Sequence, residues 1–176
     1  MIQLTTERLV LRPWAESDAE ALYEYARDER VGPVTGWPAH TSPEESRRIL
    51  KAVLMPDDNA AVTLRQSGEL VGCLGIKNNA VCPGEPEIGY WIGVPHWGNG
   101  YMPEAVRAAL KMLFTERAAG RVWCGHYEGN DKSRRVIEKC GFRYQLDREE
   151  DVTLMGERRR CFYYAITREE WESDGR

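Results

Sequence analysis

The sequence predicts a single α/β domain over residues 1–176. A mixed, mostly antiparallel and twisted sheet carries helices on both faces. Three observations lead there. A chain of 176 residues fits about one domain at roughly 150 residues each, and such a length buries a core without disulfide or metal staples. The apolar fraction is 42% and the charged fraction 30%, as in globular rather than disordered chains. The predicted order, β-α-α-β-β-β-α-β-α-β-β, places a strand meander in the middle and alternates strands with helices only in the second half. That order argues against a doubly wound parallel sheet.

Leu4 to Arg12 mixes apolar and polar positions as a strand does, with Leu9 and Leu11 on one face. Ser17-x-x-Glu20 has the form of a capping box, opening a short helix that carries Leu22 and Ala26 four residues apart. Gly32 to His40 contains two glycines and two prolines and reads as a loop. Ser42-Pro43-x-Glu45 is a second capping box with proline at the first helical position. Ile49, Leu50, Val53 and Leu54 mark that helix's buried face. From Ala60 to Lys77, two β-rich runs flank Ser67-Gly68, a hairpin signal.

After a loop from Ala80 to Pro86, Glu87 to Val94 (EIGYWIGV) is a β-rich run bounded by Pro86 and Pro95. Val106, Ala109, Leu110, Leu113 and Phe114 follow at the spacing of one buried helical stripe. Arg121 to Tyr127 is a strand. Asn130 or Asp131 caps a helix that stops before Gly141, a natural residue for its end. Phe142 to Tyr144 and Arg158 to Thr167 read as two closing strands.

Charge and composition exclude several classes. With 24 Lys and Arg against 28 Asp and Glu, the net charge is −4. Bulk binding of DNA or RNA needs a basic face instead. Trp91, Trp97 and Trp123 have no basic stripe beside them, so they do not read as base-stacking platforms. No run approaches the ~20 apolar residues of a membrane span. The opening MIQLTTERLVLRPW lacks the apolar stretch of a signal peptide. Cys73, Cys82, Cys124, Cys140 and Cys161 form no C-x-x-C pair, so free thiols and a reducing cytoplasm are expected. His40, His96 and His126 lack metal-ligand spacing, and no metal is expected. No G-x-S-x-G nucleophile motif is present.

The informative stretch is EIGYWIGVPHWGNGYMPEA, from Glu87 to Ala105. A strand runs into a loop with Gly98 and Gly100, and the loop runs into an amphipathic helix. Glycines let the backbone approach a ligand closely. A helix start offers unpaired N–H groups and a favourable dipole for a phosphate or pyrophosphate. A bare strand-to-helix turn would use the same glycines. The P-loop signature is absent, and no third glycine completes a dinucleotide fingerprint.

Four segments resemble the GNAT family of N-acetyltransferases, and within it the ribosomal-protein (RimJ/RimL-like) branch. They are TERLVLRPW (Thr6 to Trp14), GELVGCLGIK (Gly68 to Lys77), the Glu87 to Ala105 stretch, and NDKSRRVIEKCGF (Asn130 to Phe142). Order and spacing both match, and the resemblance covers nearly the whole chain. It implies a GNAT-like domain with a splayed strand pair and acetyl-CoA as co-substrate. The loop pattern Q/R-x-x-G-x-G/A is met by Gly100, with Trp97 at its first position and Met102 at its last, where it departs from the family.

The resemblance implies that Trp97, Gly98, Asn99, Gly100, Tyr101 and Met102 hold the pyrophosphate. It also implies that backbone groups of Trp91, Ile92, Gly93 and Val94 bond the pantetheine arm as an added strand, with an N–H at Ile92 polarising the thioester carbonyl. Asn130 would bond the pantetheine and Ser133 would sit near the sulfur. The family's usual tyrosine acid is replaced by Ile137, which leaves Ser133 as the acid candidate. Lys132, Arg134 and Arg135 are candidates for the cofactor's phosphates.

The acceptor is an amine, which attacks only when neutral. An α-amine is about a tenth to a fifth neutral at pH 7, a lysine amine under about a thousandth. Glu87 is a candidate base acting through a water, with Glu149, Glu150 and Asp151 as alternatives. Trp37 and His40 are candidates for the acceptor mouth. Specificity is expected from Gly32 to His40 and Asp147 to Glu157. The reading is a cytoplasmic N-acetyltransferase for a protein N-terminus. A small-amine acetyltransferase or a non-catalytic acyl-CoA-binding module are the alternatives, and the resemblance leaves a homodimer open.

Overall fold

The structure is a computed structural model that describes residues 1–56 and 58–173. One sheet has the order β1-β2-β3-β4-β5-β6-β8-β7. Its strands are β1 (Leu4–Thr5), β2 (Leu9–Arg12), β3 (Asn59–Leu64), β4 (Leu70–Asn78), β5 (Pro86–Ile92), β6 (Arg121–Tyr127), β7 (Arg143–Val152) and β8 (Glu157–Thr167). Every neighbouring pair is antiparallel except β5 and β6. The helices are α1 (Ala19–Ala26), α2 (Gly32–Thr35), α3 (Pro43–Ile49), α4 (Tyr101–Thr115), α5 (Asp131–Lys139) and α6 (Arg168–Ser173). None of the described helices is long and apolar enough to cross a membrane.

Alternation along the strands places the core on both faces of the sheet, in two main clusters and a smaller one of Trp123, Cys161, Tyr163 and Ala165 on β6 and β8. Leu9, Leu11, Val62, Leu74 and Ile88 face the stripe of α4, where Val106, Ala109, Leu110, Leu113 and Phe114 are buried together with Ile137 of α5. The opposite face carries Ala61, Cys73 and Trp91 against Leu22 and Ala26 of α1 and Leu50 beyond α3. Helices therefore cover both faces, and the domain is the predicted mixed sheet. Interdigitation of two apolar faces around one sheet is what lets a chain of this size fold alone.

Several local expectations change. The first strand is two: Thr6 Oγ1 accepts from the Leu9 N–H at 2.9 Å, closing a tight turn that folds β1 back on β2. The Ser17–Glu20 capping box does not form. Asp18 takes its place, accepting from the Ala15 N–H at 2.9 Å and from both terminal nitrogens of Arg12 at 2.7 and 2.8 Å. Ser42 does cap α3, accepting from the Glu45 N–H. The predicted face over Ile49–Leu54 breaks because Leu50–Leu54 forms a π turn, closed by Met55 N–H to Leu50 O. The wider turn rotates Val53 into solvent at 48% exposure while Leu50 stays buried.

Gly32–Thr35 is a short helix, not plain loop, ended by Gly36 at φ 98°. The stretch Asp147 to Val152, read as part of a loop, continues β7. Asp147 pairs with Arg160 at 2.6 Å and Asp151 with Arg158 at 3.3 Å across the hairpin. An edge strand wetted on both faces keeps such charges.

Asp18 ties β2 to the start of α1. Burial alone would raise its pKa, but the hydrogen bonds from Arg12 and Ala15 and the charge of Arg12 outweigh that and hold it below the usual carboxylate value. A folded pKa below the unfolded one contributes stability above the unfolded value, about 3.9, that is lost as pH falls through the folded value. Asp18→Asn is expected to destabilise by about 2 kcal/mol at pH 7. Urea melts of both proteins should converge as pH falls from 4 through the lowered folded pKa of Asp18, and a gap unchanged down to full protonation would contradict the ion-pair account.

Candidate active site

β5 and β6 pair only at Glu87↔Trp123 and Ile88↔Cys124, then part. On its other edge β5 stays registered with β4 from Asn78↔Pro86 to Gly72↔Ile92. Gly93 N–H donates to Val71 O at 2.9 Å. Neighbouring residues of an antiparallel strand turn their N–H and C=O to opposite sides. The backbone groups of Tyr90 and Ile92 therefore face the opened edge. The Ile92 carbonyl there accepts from the Trp97 indole N–H at 3.0 Å. Both backbone groups of Gly93 are used, since its carbonyl accepts from the His96 N–H. A Cβ on Gly93 would stand 2.5 Å from Cδ1 of Tyr25.

The loop beyond turns through a 3₁₀ segment, Val94–His96, into α4. Gly98 and Gly100 sit at φ 81° and 77°, and Gly100 is the N-cap of α4. A Cβ at Gly98 would meet nothing within 4 Å, so the loop is open to a ligand. Asn99 braces it, donating from its side chain to His96 O at 3.2 Å, while its carbonyl accepts from Arg8 Nη1 at 2.9 Å. Glu104, the one acidic residue in the first turn of α4, is tied away by Thr6 Oγ1 at 2.6 Å and Arg8 Nε at 2.7 Å. Burial works against its charge, but those bonds outweigh it and lower its pKa. Met102 is 2% exposed and packs into the core beneath α4.

The facing wall is α5. Asn130 caps it, accepting from the Ser133 N–H at 3.2 Å, and donates to Val34 O, also at 3.2 Å. Ser133 Oγ lies 3.0 Å from the Tyr90 hydroxyl, which also reaches Ser133 O at 3.1 Å. Lys132 Nζ sits 4.2 Å above the Trp97 ring.

These walls enclose a cleft of about 910 Å³. Trp91, Ile92, Trp97, Gly98, Gly100, Tyr101, Met102, Asn130 and Ser133 line it; Gly93, Val94 and Asn99 do not. Its charged lining is Arg30, Lys132, Arg135 and Lys139 against Glu29 and Asp131, an excess of positive charge. Arg134 instead pairs with Asp131 at 3.3 Å and stays outside. Tyr90 and Lys139 line the cleft without having been singled out from sequence. The alternation Ile88, Tyr90, Ile92 is the signal that would have turned Tyr90 toward α5.

The acceptor candidates lie elsewhere. Glu87 is 5% exposed; Oε2 accepts from Asn79 Nδ2 at 2.7 Å and Oε1 is 3.1 Å from Lys77. Glu150 accepts from the Tyr163 hydroxyl at 2.5 Å and from Arg148. Glu149 and Asp151 are exposed or nearly so on the edge strand. Trp37 packs edge-on to Trp91 with centroids 6.3 Å apart. His40 is buried with Nδ1 2.7 Å from Ser46 Oγ, and burial lowers its pKa. Neither Trp37 nor His40 lines the cleft. Among the described residues no cluster of His, Cys, Asp and Glu could hold a metal ion.

A parted strand edge, a glycine loop on a helix N-terminus and a cationic rim together could hold an extended anionic ligand. The family is more specific. The chain belongs to the GNAT acetyltransferases, whose domain matches residues 8–143, and it is an acetyltransferase. YnaD of Bacillus subtilis, named an uncharacterized N-acetyltransferase, is 30% identical over 173 residues, 97% of this chain and 99% of its own. The ribosomal protein uS5-alanine N-acetyltransferase of Escherichia coli is 24% identical, over 97% of this chain and 93% of its own. A GNAT-family acetyltransferase crystal structure from Bacillus anthracis superposes with a TM-score of 0.85 at 29% identity, covering 96% and 99% of the two chains.

The Gly93 contact yields a stability prediction. Gly93→Ala should cost about 1–3 kcal/mol by forcing Tyr25 aside, and the loss should shrink in a Tyr25→Leu background. Equal losses in the two backgrounds, measured by denaturant melts, would place the strain elsewhere.

Proposed function

We propose that this chain transfers the acetyl group of acetyl-CoA to a protein N-terminal α-amine, by direct attack within a ternary complex. The observation that carries the reading is the meeting of two backbone surfaces in one cleft. One is the opened edge of β5 at Tyr90 and Ile92. The other is the N-terminal turn of α4 behind Gly98 and Gly100. Pantetheine is an extended amide chain and suits the first; a pyrophosphate suits the second. The cations Lys132, Arg135 and Lys139 along α5 support the phosphate end.

In this reading the Ile92 N–H donates to the thioester carbonyl oxygen as negative charge develops there. Ser133 Oγ–H donates to the sulfur. The C–N bond forms as the C–S bond breaks. The amine releases one proton to water in the cleft, and the sulfur receives one from water, either directly or through Ser133, which takes a proton from water as it gives its own. Asn130 orients Ser133 through the helix cap.

The acceptor assignment rests on two supports. The Escherichia coli relative is named a ribosomal protein uS5-alanine N-acetyltransferase. The two candidate carboxylates, buried Glu87 and partly buried Glu150, each already hold a cation and a neutral donor. An α-amine needs no free base, because an appreciable fraction is neutral at pH 7, whereas a lysine amine does.

Saturating acetyl-CoA should raise Tm by several degrees, and Gly100→Leu, strained at positive φ, should weaken its Kd at least tenfold. An unchanged Kd in that variant would show that the loop is misassigned.

Ser133→Ala should lower kcat about tenfold or more with KM for acetyl-CoA unchanged. Thiol release from acetyl-CoA, followed with N-terminal peptides, lysine peptides and small amines, tests the acceptor. Release with small amines alone would replace the α-amine assignment, and release with none of them would sink the transferase mechanism.

A further inference from the structure

We propose that Tyr90 is a positioning residue that sets which way the Ser133 hydroxyl hydrogen points; this rests on the acetyl-transfer reading above. The Tyr90 phenol has one hydrogen and two oxygen acceptors in reach, Ser133 O at 3.1 Å and Ser133 Oγ at 3.0 Å, with the buried Cys124 thiol also beside it. Two arrangements place the phenol hydrogen on an oxygen of Ser133. In one, the phenol donates to the helix carbonyl and Ser133 Oγ–H points back to the phenol oxygen. In the other, the phenol donates to Ser133 Oγ, and the serine hydrogen is released toward the cleft that both residues line.

Only the second arrangement offers a donor to a leaving sulfur. Developing negative charge at sulfur favours it, because two aligned hydroxyls polarise each other. The exchange rotates two hydroxyls and separates no charge. Tyr90 gives up no proton in it, and burial pushes its pKa well above the ordinary value, which keeps the phenol a donor throughout the working pH range. The strand dictates its direction: Tyr90 shares a face with Ile88 and Ile92, turned to α4 and α5. The Asn130 cap then fixes Ser133 opposite it.

A double-mutant cycle on kcat for the best acceptor of the peptide and amine panel tests this. Tyr90→Phe keeps the ring and removes the hydroxyl. It should lower kcat about fivefold, with KM and Kd for acetyl-CoA within twofold of the parent. In a Ser133→Ala background the same change should cost less than twofold. Tyr90 acting only as a pin between β5 and α5 predicts multiplying losses and a weaker Kd, and that outcome overturns the proposal while leaving acetyl transfer intact. A parent protein that binds acetyl-CoA but acetylates nothing overturns the transfer reading itself, and this role with it. Thermal melts of all four proteins confirm that each is folded.

Discussion

After Ile88 the sheet loses a partner it would otherwise have. β5 continues in register with β4, and β6 turns away with β8. The cleft beside β5 follows from that divergence. A backbone group left unpaired in a closed interior costs about 1–3 kcal/mol, so a splay survives only if its edge opens on solvent or ligand. Here the Trp97 indole N–H takes the Ile92 carbonyl, and the rest of the edge faces the cleft. The same hydrogen bond fastens the glycine loop to the strand, so one contact positions both halves of the site.

The charge distribution follows a similar logic at longer range. The whole chain carries −4, which opposes an anionic ligand. The rim of the cleft has the reverse sign, with four basic side chains against two acidic ones. Glu104, the acidic side chain in the first turn of α4, is neutralised by Arg8. The local field thus complements the helix dipole, and screening over about 8–10 Å weakens the influence of distant surface carboxylates.

The strand–loop–helix at the centre was legible in the sequence because its signals are local. Glycine spacing, an apolar stripe and a cap need only neighbours along the chain. The parts that were not legible depend on distant partners. The charged stretch from Asp147 to Asp151 looks like loop until Arg158 and Arg160 face it across a hairpin. Thr6 becomes a turn residue because Leu9 folds back over it, and Asp18 displaces Ser17 as a cap because Arg12 lies within reach. Tyr90 and Ser133 are 43 residues apart, and only the docking of α5 beside the parted strand brings them together.

Two departures from the family pattern read differently once the packing is known. Met102, at a position where a small residue is usual, does not crowd the loop, because its side chain turns down into the core under α4. The missing tyrosine at Ile137 leaves no hole, because Ile137 is fully buried there. A phenol nevertheless stands in the cleft, supplied by the strand instead of the helix. Asn130 shows why helix cap and site residue are not competing descriptions. Its oxygen holds the first turn of α5, and so the backbone that carries Ser133, while its amide nitrogen holds the α2 segment at Val34 against the same cleft. A change at Asn130 would therefore reach two segments of the cleft lining at once, the start of α5 and the α2 segment.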